Sequence, residues 1–311
     1  MPRFQTILKE TVPAALRTAR WLLSIMIPVS LGVTLLGYSG VLARISEMLN
    51  PFFHFLGLSG QSALVFLTGI FLNIYSAIAV MTSLPLTMRE VTILALMCLI
   101  SHNLIVEILI LKKTGSSATE MVLLRLGASI AGALILNYFM GPDNRLISTV
   151  TPHVPGEATF WPLMQTWFFS TLKLSLKVII LLTSLMVLQR VLEDYGILEI
   201  MSRILSPILR VMGLPAEGSF LWIVANVVGL GFGSALMLDY LERGKITLKK
   251  NDVVNHHVAV CHSLLEDTLL FVAIGVSAFW ITIPRLFLAI VIVWVYRIIT
   301  RQFVLSKPIG L

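Results

Sequence analysis

Long apolar stretches separated by short polar ones set the rhythm of this chain. The apolar runs cover roughly residues 21–38, 61–84, 91–111, 121–140, 178–191, 219–238, 253–274 and 279–296. A helix needs about 20 predominantly apolar residues to cross roughly 30 Å of hydrocarbon, so the pattern predicts about eight membrane segments. Between the first and second runs, Arg44, Glu47, Asn50 and His54 recur at helical spacing, and Glu199, Arg203, Ser206 and Arg210 do the same later in the chain. That spacing reads as an amphipathic helix, lying in the membrane interface or packed on the protein as an ordinary connection.

The pattern occurs twice. "SGVLARISEMLNPFFHFLGLS" from Ser39 aligns with "YGILEIMSRILSPILRVMGLP" from Tyr195, pairing Gly40 with Gly196, Pro51 with Pro207 and Gly57 with Gly213 at an offset of 156. Further on, Thr87 pairs with Thr247, His102 with His262, Gly115 with Gly275 and Arg125 with Arg285 at an offset of 160. Self-similarity over such a period marks a duplicated architecture. The expected fold is an all-α polytopic membrane protein of two homologous halves, residues 1–141 and 171–311, joined by a connecting loop over 142–170. Each half holds about four membrane segments and the amphipathic helix. If all four cross, the halves run parallel, which the Lys and Arg distribution favours. If one is re-entrant or broken short of crossing, the halves are inverted.

Composition agrees with the pattern. The 311 residues are 57% hydrophobic and 13% charged, with a mean hydropathy of +0.91, a balance that no water-soluble core of this size requires. The net charge of +7 sits beside apolar runs, at Arg17 and Arg20, Lys112 and Lys113, and Arg297 and Arg301, where membrane topology uses it. Basic residues interleaved with aromatics are absent, so nucleic acid is not an expected partner. The first apolar run lacks an A-x-A site and reads as a retained span rather than a cleaved leader. Cys98 and Cys261 both fall inside apolar runs and imply neither a disulfide framework nor a cysteine metal site.

The polar residues inside the runs carry the candidate chemistry. "CHSLLEDTLL" places His262, Ser263, Glu266 and Asp267 within the run 253–274, and the first half answers with His102, Asn103 and Glu107, while Val106 stands in the Glu266 position. Two central acids cost roughly 5–7 kcal/mol of insertion, whereas the eleven Leu, Ile, Phe and Val of that run return roughly 3–7 kcal/mol. Nothing is left over, so these groups should face protein or water, and intramembrane ionisable residues are functional candidates. On a continuous helix, His262 with Glu266 and Ser263 with Asp267 would share adjoining faces. Glu107 could pair with Arg125 and Asp267 with Arg285. His256 and His257 are expected nearer the interface. Gly229, Gly231 and Gly233 in "VANVVGLGFGSALM" suit either a helix break or close helix packing, and Asn73 and Asn226 lie in the same paired segments. His102, Glu107, His262, Glu266 and Asp267 together could also hold zinc or iron. No H-E-x-x-H, G-x-S-x-G or P-loop is present, so no enzyme and no cofactor are expected.

The paired modules, from "GVLARISEMLNPFFHFLGL" and "GILEIMSRILSPILRVMGL" through to "SHNLIVEIL" and "CHSLLEDTL", resemble the nucleoside-recognition, or gate, family. That family includes the spore maturation proteins A and B and the gate regions of concentrative nucleoside transporters and of ferrous iron transporter B. The resemblance covers most of the chain. It departs at "GLGFGSALM", where Gly233, Ser234 and Ala235 replace the Cys, Asn and Pro of the iron transporter's gate motif. It implies a helical membrane protein and, in several branches, transport, without supplying a substrate. The cost of the acids and their repetition add the expectation of a bacterial cytoplasmic-membrane protein that moves a small polar or ionic solute, with proton coupling as one form, past His102, Asn103, Glu107, His262, Ser263, Glu266, Asp267, Asn73, Asn226 and the three glycines. The alternatives are an accessory or assembly protein of the spore-maturation type and a divalent metal transporter. The expected partners are the lipid bilayer and the solute, and a homo-oligomer is compatible with this reading.

Overall fold

The computed structural model describes residues 3–147 and 160–300; residues 148–159, the middle of the expected connecting loop, lie outside the described residues. What is described is helical. The first half runs α1 (Arg3–Tyr38), α2 (Val41–Phe55), α3 (Ser62–Phe71), α4 (Ile74–Ser83), α5 (Met88–Ser101), α6 (Leu104–Lys113) and α7 (Ala118–Phe139). The second repeats it as α8 (Phe160–Asp194), α9 (Ile197–Val211), α10 (Ser219–Val227), α11 (Leu230–Glu242), α12 (Leu248–Val260), α13 (Glu266–Val272) and α14 (Ala278–Ile299). Residues 160–170, expected as linker, already form the first turns of α8.

Backbone conformation records the duplication independently of side chains. Gly40 and Gly196 have φ of 75° and 66°, Gly57 and Gly213 of 74° and 89°, and Gly115 and Gly275 of 107° and 100°. Asn103 and Ser263, which are not glycines, both sit at φ 47°. Positive φ is uncommon for such residues, so its recurrence at equivalent positions means both halves need the same bend there.

The expected continuous segments at 61–84 and 219–238 are not crossings. Each is a pair of short helices, α3 with α4 and α10 with α11, doubled back on itself. Ten residues of helix span about 15 Å, half the hydrocarbon thickness. In the first hairpin, a Cβ added at Gly69 would lie 3.5 Å from Ala77 Cβ; in the second, one added at Gly233 would lie 2.9 Å from Ala225 Cα. These are the same two repeat positions with the small residues exchanged, and they lie evenly about Asn73 and Gly229, the tips. Asn73 turns its tip by capping α4, accepting from Ser76 N–H at 2.8 Å. Gly229 does so with φ 112°, open only to glycine.

Re-entrant hairpins leave three crossings per half, an odd number, so the halves are inverted. The equivalent helices α1 and α8 show it directly by packing antiparallel. Trp167 Nε1 near the start of α8 donates to Ser30 Oγ near the end of α1 at 3.1 Å. Leu16, Ala19 and Leu23 line a groove with Ile179, and Glu10 lies in electrostatic range of Arg190. This packing overrides the parallel arrangement suggested by the Lys and Arg distribution. Among the described residues, five helical segments, α1, α5 with α6, α7, α8 and α14, are long and apolar enough to cross a membrane. The sixth crossing, α12 with α13, is the repeat counterpart of α5 with α6 and is interrupted by its polar residues. α2 and α9 present exposed apolar stripes, Met48, Phe52 and Phe55 on one and Ile200, Ile204, Ile208 and Val211 on the other, as helices at a lipid interface do.

Candidate functional site

Two helices that should be continuous are broken at equivalent points. α5 stops at Ser101 and α6 restarts at Leu104; α12 stops at Val260 and α13 restarts at Glu266. At each break, the backbone N–H of the positive-φ residue is taken by the adjacent hairpin: Asn103 N–H donates to Gly69 O at 2.8 Å and Ser263 N–H to Ala225 O at 3.1 Å. Leu265 N–H adds a bond to Asn226 O at 3.3 Å. Irregular backbone at membrane depth is tolerated only when protein satisfies it, and here the hairpins do so. The break in α5 and α6 falls near the middle of a 26-residue crossing, so the site lies close to the bilayer midplane.

Arg125 of α7, with 0% of its surface exposed, finishes the first break. Its Nε donates to Ile100 O at 2.7 Å and its Nη2 to His102 O at 3.0 Å, capping carbonyls that the interrupted helix leaves without partners. The same Nη2 lies 2.6 Å from Glu107 Oε2, so the ion pair expected from sequence forms. Its counterpart Arg285 is equally buried but donates from Nη2 to Thr268 Oγ1 at 3.3 Å. No hydrogen bond or ion pair joins it to Asp267; Asp267 instead approaches the first half, with Oδ2 3.6 Å from His102 Nε2.

The two histidines meet across the pseudo-two-fold axis, ring centroids 5.3 Å apart. His102 Nε2 lies 3.3 Å from Glu107 Oε1, and His262 Nε2 lies 3.4 Å from Glu107 Oε2. His102, Glu107, His262 and Asp267 are all buried. The expectation that His262 and Glu266 share a face fails because the break intervenes: Glu266 turns away to accept from Tyr75 Oη at 2.7 Å and from Gln189 Nε2 at 3.4 Å. Gln189 also donates to Val227 O at 2.9 Å, tying α8 to the second hairpin tip.

The remaining candidates divide. Asn103, Ser263 and Gly229 build tips and breaks through their backbones, and Asn73 through its side-chain cap on α4. Asn226 is buried, its Nδ2 bonded to Trp222 O at 3.0 Å and its Oδ1 without a hydrogen bond. Gly231 is exposed with nothing within 4 Å of an added Cβ, and Gly233 serves close packing. His256 and His257 are both buried within the protein: His257 Nδ1 accepts from Trp222 Nε1 at 2.9 Å, and His256 stacks on Tyr296 at 3.7 Å. Tyr75 and Gln189 escaped the sequence reading. The available signals were the position of Tyr75 two residues after Asn73 and the lone Gln in an apolar run.

The cluster is enclosed. The described clefts lie elsewhere, the most polar of them about 190 Å³ between α1, α4 and α8, where Ser30, Thr34, Thr82 and Ser83 face Lys173 and Lys177.

Comparison with known proteins agrees with this architecture. The chain is 26% identical over 281 residues, 90% of each chain, to an uncharacterized membrane protein of Bacillus subtilis (strain 168), YvoD. No solved structure matches it. Residues 19–118, running from α1 through both tip and break of the first half, match the family described as Gate, nucleoside recognition. The likeness to the Gate family is thus carried by that segment of the first half.

Proposed function

We propose that the protein is a transporter of the bacterial cytoplasmic membrane that carries a small polar or ionic solute through the junction of its inverted halves. The observation that carries this reading is the convergence of two hairpin tips and two helix breaks on one buried group of histidines, acids and arginines. Inverted repeats with discontinuous helices at the midplane are how many secondary transporters build substrate sites. Five ionisable side chains, Glu107, Asp267, Glu266, Arg125 and Arg285, would be an expensive way to fill a core that Leu and Ile could fill. Because the cluster is enclosed, a transport cycle requires α3 with α4, or α10 with α11, to swing away from the breaks. The Gly69 to Ala77 and Gly233 to Ala225 contacts let each hairpin move as a unit.

Flux into proteoliposomes tests it, with radiolabelled uridine as a probe suggested by the family and Zn²⁺ as an ionic probe. Wild-type protein should carry at least one of them, and Asp267→Asn should abolish that flux while retaining the wild-type melting temperature. Equal flux in the variant rejects the assignment. The enclosure of the cluster favours a second reading, an accessory protein in which these residues only lock the halves together. It predicts no flux for any probe and recovery of a stoichiometric partner in pull-downs.

A further inference from the structure

We propose that His102, His262 and Glu107 form a three-ligand site for a divalent first-row transition ion, each inverted half supplying one imidazole and the first half the carboxylate. This deepens the transport reading, because it names the class of ion that the same cluster takes.

Tautomers start the argument. His102 Nδ1 lies 2.9 Å from Cys98 O and His262 Nδ1 lies 2.7 Å from Val258 O, the same i to i−4 contact in both halves. A carbonyl oxygen only accepts, so both Nδ1 atoms carry the proton. In its neutral form each ring turns a bare Nε2 lone pair towards the centre, as metal-ligating histidines do when a backbone carbonyl fixes the other nitrogen. What those lone pairs meet are more acceptors: Glu107 Oε1 at 3.3 Å, Glu107 Oε2 at 3.4 Å and Asp267 Oδ2 at 3.6 Å. His262 Nε2 and Asp267 Oδ2 are fully buried atoms without a hydrogen bond. Arg125 Nη2 meets Glu107 Oε2 from one side, and the remaining lone pairs, acceptor against acceptor, call for a cation.

Distances choose which cation. A proton shared between imidazole and carboxylate draws N and O to about 2.7–2.9 Å, well inside every separation here. Ligand atoms about 2.0–2.1 Å from a tetrahedral ion stand about 3.3–3.4 Å from one another, and Glu107 stands 3.3 Å from His102 Nε2 and 3.4 Å from His262 Nε2. The ligating atoms of His102, Glu107 and His262 all fall within 4.8 Å of each other. Paired imidazoles and a carboxylate suit zinc and its neighbours rather than calcium or magnesium, which take oxygen alone.

Co²⁺ titration of the metal-free full chain in detergent tests this directly. One equivalent should bind with the visible absorption of a tetrahedral ion, Zn²⁺ should displace it, and His262→Gln should weaken binding by more than about tenfold at unchanged helix content. Should that variant not fold, X-ray absorption of the Zn²⁺-loaded wild type decides alone, by showing two imidazoles in the first shell. No binding at millimolar Co²⁺, a shell without imidazole, or undiminished binding by His262→Gln overturns the proposal. So does proton uptake by the cluster with no metal bound. Metal binding without flux of uridine or Zn²⁺ would keep the site and sink the transport reading; uridine flux without metal binding would do the reverse.

Discussion

Replacing Glu107 by Leu should destabilise the protein by about 3 kcal/mol. The Arg125 guanidinium has no exposed surface, and its Nη2 is 2.6 Å from Glu107 Oε2. Two of its N–H groups are already committed to Ile100 O and His102 O, so it cannot turn to water without releasing the end of α5. Removing one partner of a buried ion pair costs about 3–5 kcal/mol, because the other charge stays behind uncompensated. The lower end applies here, since polar groups of the unfolded state within a membrane also find partners. Removing both, as Glu107→Leu with Arg125→Met, deletes the stranded charge but leaves two carbonyls uncapped, so about half the loss should return. Equilibrium unfolding in mixed micelles over the four members of that double-mutant cycle measures the coupling. A loss below about 1 kcal/mol for Glu107→Leu, or a coupling near zero, would refute the view that this pair is a desolvated, fully engaged ion pair.

Three further outcomes follow from other parts of the fold. Inverted halves put α2 and α9 on opposite membrane faces, so Asn50→Cys and Arg203→Cys should react with an impermeant thiol reagent from opposite sides; native Cys98 and Cys261 are buried and should stay silent. Reaction from one side only would restore parallel halves. Gly229→Ala, at φ 112°, should cost about 1–3 kcal/mol in the same unfolding assay, whereas Gly231→Ala, exposed and uncrowded, should be near neutral; equal effects would contradict the assigned tip. Tyr75→Phe removes the 2.7 Å bond to Glu266 and should destabilise by about 1.5–3 kcal/mol, as hydrogen bonds to charged groups do; wild-type stability would mean that Glu266 is held by other groups.

The sequence carried the duplication, the amphipathic helices and the polar residues of the site, because offsets and charges survive in one dimension. It also carried the pairing of Glu107 with Arg125. The fate of Glu266 and Asp267 was hidden. The left-handed conformation of Ser263 breaks the helix before both, taking Glu266 off the face of His262, and only its equivalence to Asn103 hinted at that. The crossing number was hidden as well, since ten-residue helices joined at Asn73 or Gly229 have the same hydropathy as one helix of twenty. The exchange of Gly69 and Ala77 for Ala225 and Gly233 was a legible sign of a hairpin, each pair eight residues apart about the tip. Lys and Arg counts misled because the long helices α1 and α8 carry basic residues well inside their own length.

The central claim is that the enclosed junction of the halves opens during a working cycle. Ser76 lies in the first turn of α4, at the hairpin tip, with 0% of its surface exposed and its Oγ without a hydrogen bond. Ser76→Cys in sealed, oriented vesicles should be alkylated slowly by an impermeant thiol reagent added to either face, as the two hairpins part in turn. Complete protection from both faces, in protein that remains folded, would mean that the junction never opens and that its charges serve only to hold the halves together.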